Sequence, residues 1–159
     1  MKPIRVVWGT GHAATEMAAY DAALADAGIG NYNLVAVSSV IPEGATVTEA
    51  GTAPTLGPIG ERLTVVEARE TIPVGDRDPA CAGLAWATTE SQKGLFYEAS
   101  GRDERAVRDA VTEGITAGRA LRDWSFTDQT ARVAVADRDP ELHTSAVVVA
   151  VYGDSEPIL

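Results

Sequence analysis

This sequence is short of several things that other functions need. It has one cysteine, Cys81, in 159 residues. No intrachain disulfide can form, and no thiolate metal cluster is possible. Its two histidines, His12 and His143, stand far apart with no third ligand spaced to join them, so no metal site is expected. Cations are scarce: 13 Lys and Arg stand against 23 Asp and Glu, for a net charge of −10. That balance argues against nucleic acid as a partner, because phosphates would be repelled. Lys2 and Lys93 are the only lysines. An acidic, lysine-poor surface suits a salt-rich cytoplasm, where screening weakens self-repulsion, although a GC-rich genome also favours Arg over Lys. Long apolar runs are missing too. The longest, Ala146–Tyr152, is far short of a membrane span, and the run after Met1 is too short for a signal peptide. A soluble cytoplasmic protein with no membrane partner is expected.

What the chain does have is a core. Hydrophobic residues make up 45 % of it, and its length fits one domain over residues 1–159. Ile4–Trp8 reads as a strand that Gly9-Thr10-Gly11 breaks. Thr15 caps a helix running to about Ala27, with Gly28 just beyond its end. Asn33–Ser39 reads as a second strand, and residues 42–61 as an extended loop rich in Gly, Pro and Thr. Strands are expected over Arg62–Arg69, Ala82–Thr88 and Gly94–Glu98. The clearest helix runs from about Asp103 to Arg122, with Val107, Val111, Ile115, Gly118 and Leu121 on one face. Arg132–Ala136 and Ser145–Tyr152 could pair as a hairpin. Many strands with two helices predict an α+β fold, a sandwich whose helices cover its sheets.

Three patterns could carry chemistry. Gly9-Thr10-Gly11-His12-Ala13-Ala14 fits the G-x-G-x-x-A dinucleotide fingerprint, which makes an NADP-binding Rossmann-type oxidoreductase the alternative reading. Against it, Ser38 stands where an acidic residue should end the second strand, and strand–helix alternation does not continue. On the first helix, Asp21 stacks with Met17, Leu24 and Gly28 at i±3 and i±4 spacing. That places it on the apolar face, where a charge must be paired. Finally, Ser38 and Ser39 close a hydrophobic strand, where an unpaired hydroxyl costs a few kcal/mol. A serine pair alone is expected by chance, and a strand-end glutamate such as Glu98 is usually solvated and by itself unremarkable.

The surroundings of the serine pair are more specific. Ala27-Gly28-Ile29-Gly30-Asn31-Tyr32-Asn33, a strand, Ser38-Ser39 and Val40-Ile41-Pro42, then Gly94-Leu95-Phe96-Tyr97-Glu98 and Trp124 downstream, resemble the pyruvoyl-dependent arginine decarboxylases. The similarity in order and spacing runs from about residue 4 to about 151. It implies a four-layer αββα sandwich with mostly antiparallel sheets. It also implies a chain that cuts itself between Ser38 and Ser39, leaving pieces 1–38 and 39–159 associated. The residue after the cut must be serine: its hydroxyl attacks the preceding carbonyl, and only serine yields pyruvate after elimination. Ser39 would become the covalent pyruvoyl cofactor. The resemblance further implies that Asp21 binds the substrate guanidinium and that Glu98 donates a proton, held ready by desolvation. Asn33 would assist near the cut or the substrate, and Gly30 and Tyr32 would offer backbone groups to the ligand. The implied reaction turns L-arginine into agmatine and CO₂, in a trimer of αβ units with sites between protomers. An unprocessed, non-catalytic homologue serving as a partner subunit is a further alternative.

Overall fold

A computed structural model describes all 159 residues. The chain runs β1 (Ile4–Ala13), α1 (Glu16–Asp26), β2 (Asn33–Ala36), β3 (Val40–Ile41), β4 (Val47–Gly51), β5 (Arg62–Ile72), β6 (Ala80–Thr89), β7 (Gly94–Gly101), α2 (Glu104–Ala120), β8 (Phe126–Ala136) and β9 (His143–Tyr152). Five strands form one sheet in the order β2-β5-β9-β1-β4, and four form a second in the order β3-β7-β6-β8. Only β1–β4 and β2–β5 are parallel pairs. The sheets face each other across a core that includes Val6, Val66 and Val148 from the first and Leu84, Trp86 and Phe96 from the second. α1 packs on the outer face of the first sheet, against Val147, Val149 and Val151. α2 covers the second through Val111 and Ile115. The layers are therefore α, β, β, α, as the resemblance implied. β9 is buried along both faces, which its unbroken Ala-Val run permits.

Both helices start as their sequences dictate. The Thr15 hydroxyl accepts from the Ala18 N–H at 3.1 Å, and the Asp103 carboxylate accepts from the Ala106 N–H at 2.7 Å. α1 ends in a Schellman turn. Gly28 takes φ +82°, the Ile29 N–H donates to Leu24 O at 3.0 Å, the Gly28 N–H donates to Ala25 O at 3.0 Å, and Ile29 is fully buried.

Several expectations need correction. Gly9-Thr10-Gly11 does not break β1, which pairs with β9 without interruption to Ala13. A Cβ on Gly11 would come within 2.6 Å of Ala19 O and Ala23 N, so the glycines exist to let α1 lie directly on the strand. They pack against a helix and form no phosphate-binding turn, which removes the basis for the nucleotide reading. At that separation alanines fill the space directly between helix and sheet, with Leu24 the one larger side chain of α1 that is buried. Ala19, Ala23 and Ala27 are the fully buried positions, while Met17 is 75 % exposed and Asp21 is exposed with it. Asp21 therefore does not lie on the buried face. Gly11→Ala is expected to destabilise the protein by about 1–3 kcal/mol, the usual cost of overpacking, read as a lower denaturation midpoint at unchanged slope. An unchanged midpoint would show that α1 is free to lift.

The strands 132–136 and 145–152 do not form a hairpin. β8 pairs with β6 and β9 pairs with β1 and β5, so the chain changes sheets across residues 137–142. The expected loop 42–61 contains β4, an edge strand too exposed to show alternation. Leu121, expected on the apolar face of α2, is exposed beyond the helix end, and Gly114 is buried instead.

Candidate active site

β2 lies at the edge of the first sheet and β3 at the edge of the second. The segment between them, Val37-Ser38-Ser39, is where the chain passes from one layer to the other. Each flank is tied down independently. The Val37 N–H donates to Val65 O at 3.0 Å, holding one side to the first sheet. Val40 pairs with Leu95 on β7, and the Phe96 N–H donates to Ser39 O at 2.8 Å, holding the other side to the second. The Ser38–Ser39 peptide bridges two fixed anchors. Ser39 has φ +21°, in the left-handed region that non-glycine residues avoid. Such a conformation costs on the order of 1–3 kcal/mol and persists only where surrounding contacts impose it. The Ser39 N–H closes a tight turn onto Val37 O at 3.2 Å.

The Ser39 hydroxyl donates to Glu98 Oε2 at 3.1 Å, so the structure brings these two expected residues together from 59 positions apart. Glu98 reaches Ser39 because β7 lies beside β3 and points Phe96 and Glu98 to the same face. That face is not dry: Glu98 is exposed, so one chain does not supply the desolvation expected for a proton donor. Val35, Val37 and Val40, which flank the serine pair, and Tyr97, next to Glu98 in sequence, are exposed as well.

Two contributors left no signal in the sequence. The Phe96 backbone N–H holds the Ser39 carbonyl, and the Tyr152 hydroxyl, from β9 in the opposite sheet, donates to Val40 O at 2.9 Å. Burial, and then the nearby Glu98 charge, push the Tyr152 phenol well above its ordinary value, so it stays protonated and remains a donor. The Tyr152 ring also packs 6.1 Å from that of Phe96. Residue 39 and its successor are thus clamped from both sheets.

The other expected residues lie elsewhere. Asn33 Nδ2 donates to Gly60 O at 2.7 Å. The Tyr32 hydroxyl donates to Gly57 O and accepts from the Leu56 N–H, each at 3.1 Å. Gly30 lies against the Ala25 backbone, where a Cβ would stand 3.1 Å from Ala25 Cα. All three brace the 56–61 loop or the helix end. Asn33 opens β2 and Ser39 follows its far end, six residues on. The strand between them, at about 3.3 Å per residue, already separates them by roughly 10 Å. Asp21 lines a depression with Thr15, Met17, Ala18, Tyr20 and Leu24, on the outer helix layer. It shares no pocket with Ser38 or Ser39, which line a separate groove of about 280 Å³ between β7 and α2.

A strained serine at a junction between two sheets, anchored on both sides with a carboxylate on its hydroxyl, suits a chain that rearranges its own backbone. These residues fit a pyruvoyl group made in place from Ser39, since the carbonyl it would retain is already held by Phe96. Comparison with known proteins agrees. The family model for pyruvoyl-dependent arginine decarboxylase matches residues 3–157. The pyruvoyl-dependent arginine decarboxylase of Halobacterium salinarum is 54 % identical over 162 residues, covering 99 % of this chain and 98 % of that protein. Proteins of the same name from Thermococcus sibiricus and Methanocaldococcus jannaschii are 35 % and 26 % identical, covering 87 % and 94 % of this chain and 88 % of each relative. The chain belongs to the pyruvoyl-dependent arginine decarboxylase family.

Proposed function

We propose that this chain cuts itself between Ser38 and Ser39 and then decarboxylates L-arginine to agmatine and CO₂. The observation that carries this reading is Ser39 itself, strained at φ +21° with its hydroxyl on Glu98. Glu98 orients the hydroxyl for attack on the Ser38 carbonyl, and the strain at residue 39 is relieved as the peptide becomes an ester. Once formed, the pyruvoyl group supplies an electrophilic carbonyl that binds the substrate amine and takes up the electrons left by CO₂. The chain's own residues do the rest. Phe96 N–H and Tyr152 OH fix residues 39 and 40, Glu98 delivers a proton to the carbon that lost CO₂, and Asp21 pairs with the guanidinium.

Asp21 and Asn33 cannot reach Ser39 within one chain, and Glu98 is uncovered there. A neighbouring copy that brings its 16–33 segment to this edge would supply both the guanidinium partner and the missing desolvation, and would cover the exposed valines. This supports sites between protomers of a trimer of αβ units.

Intact-mass analysis tests the processing. Two pieces are expected, one ending at Ser38 and one opening on a blocked residue. A single full-length species after long incubation would favour an unprocessed partner subunit. Asp21→Asn is expected to be cut normally and to raise KM for arginine by roughly 10- to 100-fold, the worth of a charged hydrogen bond. Unchanged kinetics would remove Asp21 from the site.

A further inference from the structure

The groove that Ser38 and Ser39 help to line contains one charged side chain, Arg122. The rest of the lining is apolar or uncharged, including Val40, Leu95, Tyr97 and Ile115. Arg122 follows the end of α2 and is half-buried. Its Nη1 donates to Gly118 O at 2.9 Å, and its guanidinium stands 5.5 Å from the Trp124 ring centre. Arg122 forms none of the chain's seven ion pairs. In a protein with 23 acidic residues, this guanidinium has no carboxylate, and only one of its five N–H donors is committed to a protein acceptor.

Self-cutting would create an anion in this same groove. The Ser38 acyl group moves from the nitrogen of Ser39 to its Oγ. Elimination then takes the Cα proton of residue 39 and expels Ser38 as a carboxylate carrying the former Oγ. Water adds to the remaining enamine and ammonia leaves with the former Ser39 nitrogen. That departure abolishes the Ser39 N–H bond to Val37 O, so Ser38 is tethered only through Val37, which stays on Val65. The new carboxylate starts beside Glu98, the acceptor of the Ser39 hydroxyl, and two carboxylates so placed repel.

We propose that Arg122 is the docking site for the C-terminal carboxylate of Ser38 after the cut. The free guanidinium donors hold it in the groove between β7 and α2. This draws the cut end away from Glu98 and leaves the carbonyl of residue 39 open to substrate. The planar fork of Arg122 matches a carboxylate in two-point contact. The proposal rests on the processing reading and adds to it the fate of the released end.

The test uses the cut protein labelled with [1-¹³C]serine. While every other serine carbonyl before Leu159 stays in an amide or, at residue 39, in the pyruvoyl amide, the cut gives Ser38 a free carboxyl group. In the wild type its ¹³C signal is expected to stay flat from about pH 7 down to about pH 4, since a paired α-carboxylate titrates below its ordinary range. In Arg122→Gln the carboxylate is left facing Glu98, and its midpoint is expected to rise by at least about one pH unit, into that window. Arg122→Lys, which keeps the charge, is expected to follow the wild type. A wild-type signal that titrates within the window overturns the docking site, and so does an Arg122→Gln profile identical to the wild type. A chain that stays at full-length mass overturns the processing reading and this proposal together, and mass spectrometry separates that outcome from the other two.

Discussion

Ser39→Ala is expected to remain a single full-length chain and to decarboxylate no arginine. The substitution removes the Oγ that attacks the Ser38 carbonyl, and the group bonded to that hydroxyl, the Glu98 carboxylate, is an acceptor that does not take its place. The fold should survive. Ser39 is only half-buried, and its backbone contacts to Phe96 and Val37 do not use the side chain. Alanine takes φ near +21° at the same strain as serine, so the cost of about 1 kcal/mol expected in stability comes from the lost hydroxyl–Glu98 bond. Intact mass, arginine turnover and a denaturation midpoint check all three points. Cleavage of this variant at the same bond would mean that the hydroxyl of residue 39 is not the nucleophile.

Glu98→Gln is expected to cut and yet turn over poorly. The glutamine Oε1 still accepts from the Ser39 hydroxyl, so the serine keeps its orientation. The amide has no proton to deliver to the carbon that loses CO₂. General acid catalysis contributes about 10²–10⁴-fold, and the loss should fall on kcat with KM little changed. Turnover per pyruvoyl group is the proper measure, so that incomplete cutting is not counted as slow chemistry. A normal kcat in fully cut protein would assign the proton to another group, for which the exposed surface around Glu98 leaves room in an assembly.

The elements set by local chemistry could be read directly from the sequence. Thr15 and Asp103 cap their helices, Gly28 ends α1, and the apolar spacing of α2 places Val107, Val111 and Ile115 where they pack. Features set by distant partners could not. Gly9 and Gly11 look like a chain break because the reason for them lies across the strand, in α1. The same closeness makes alanine the main buried residue of α1, so exposed Met17 misdirects a ranking by hydrophobicity and carries Asp21 with it, although Leu24 does pack inside. β8 and β9 look like a hairpin because they are adjacent in sequence, although each has longer partners elsewhere. At the site, the Ser38-Ser39 pair and Glu98 were found through their flanking motifs. Tyr152 was not, because a hydroxyl reaching a carbonyl 112 residues away leaves no local pattern.

The position of the junction would give the proposed cut a thermodynamic consequence. The 1–38 piece holds β1, α1 and β2, and β1 sits inside its sheet, between β9 and β4. It is paired with β9 along ten residues. Neither piece can close that sheet alone. Before the cut, unfolding is a unimolecular event, and the two halves stay at high effective concentration on one chain. After it, complete unfolding releases two molecules, and recovery requires them to meet again. Stability then depends on concentration by mass action, and dilution favours the separated state. A residue consumed in making the cofactor could not be restored, so a protein cut in this way would reach its fold only by way of the uncut chain. Its lifetime would then depend on how slowly β1 leaves the sheet.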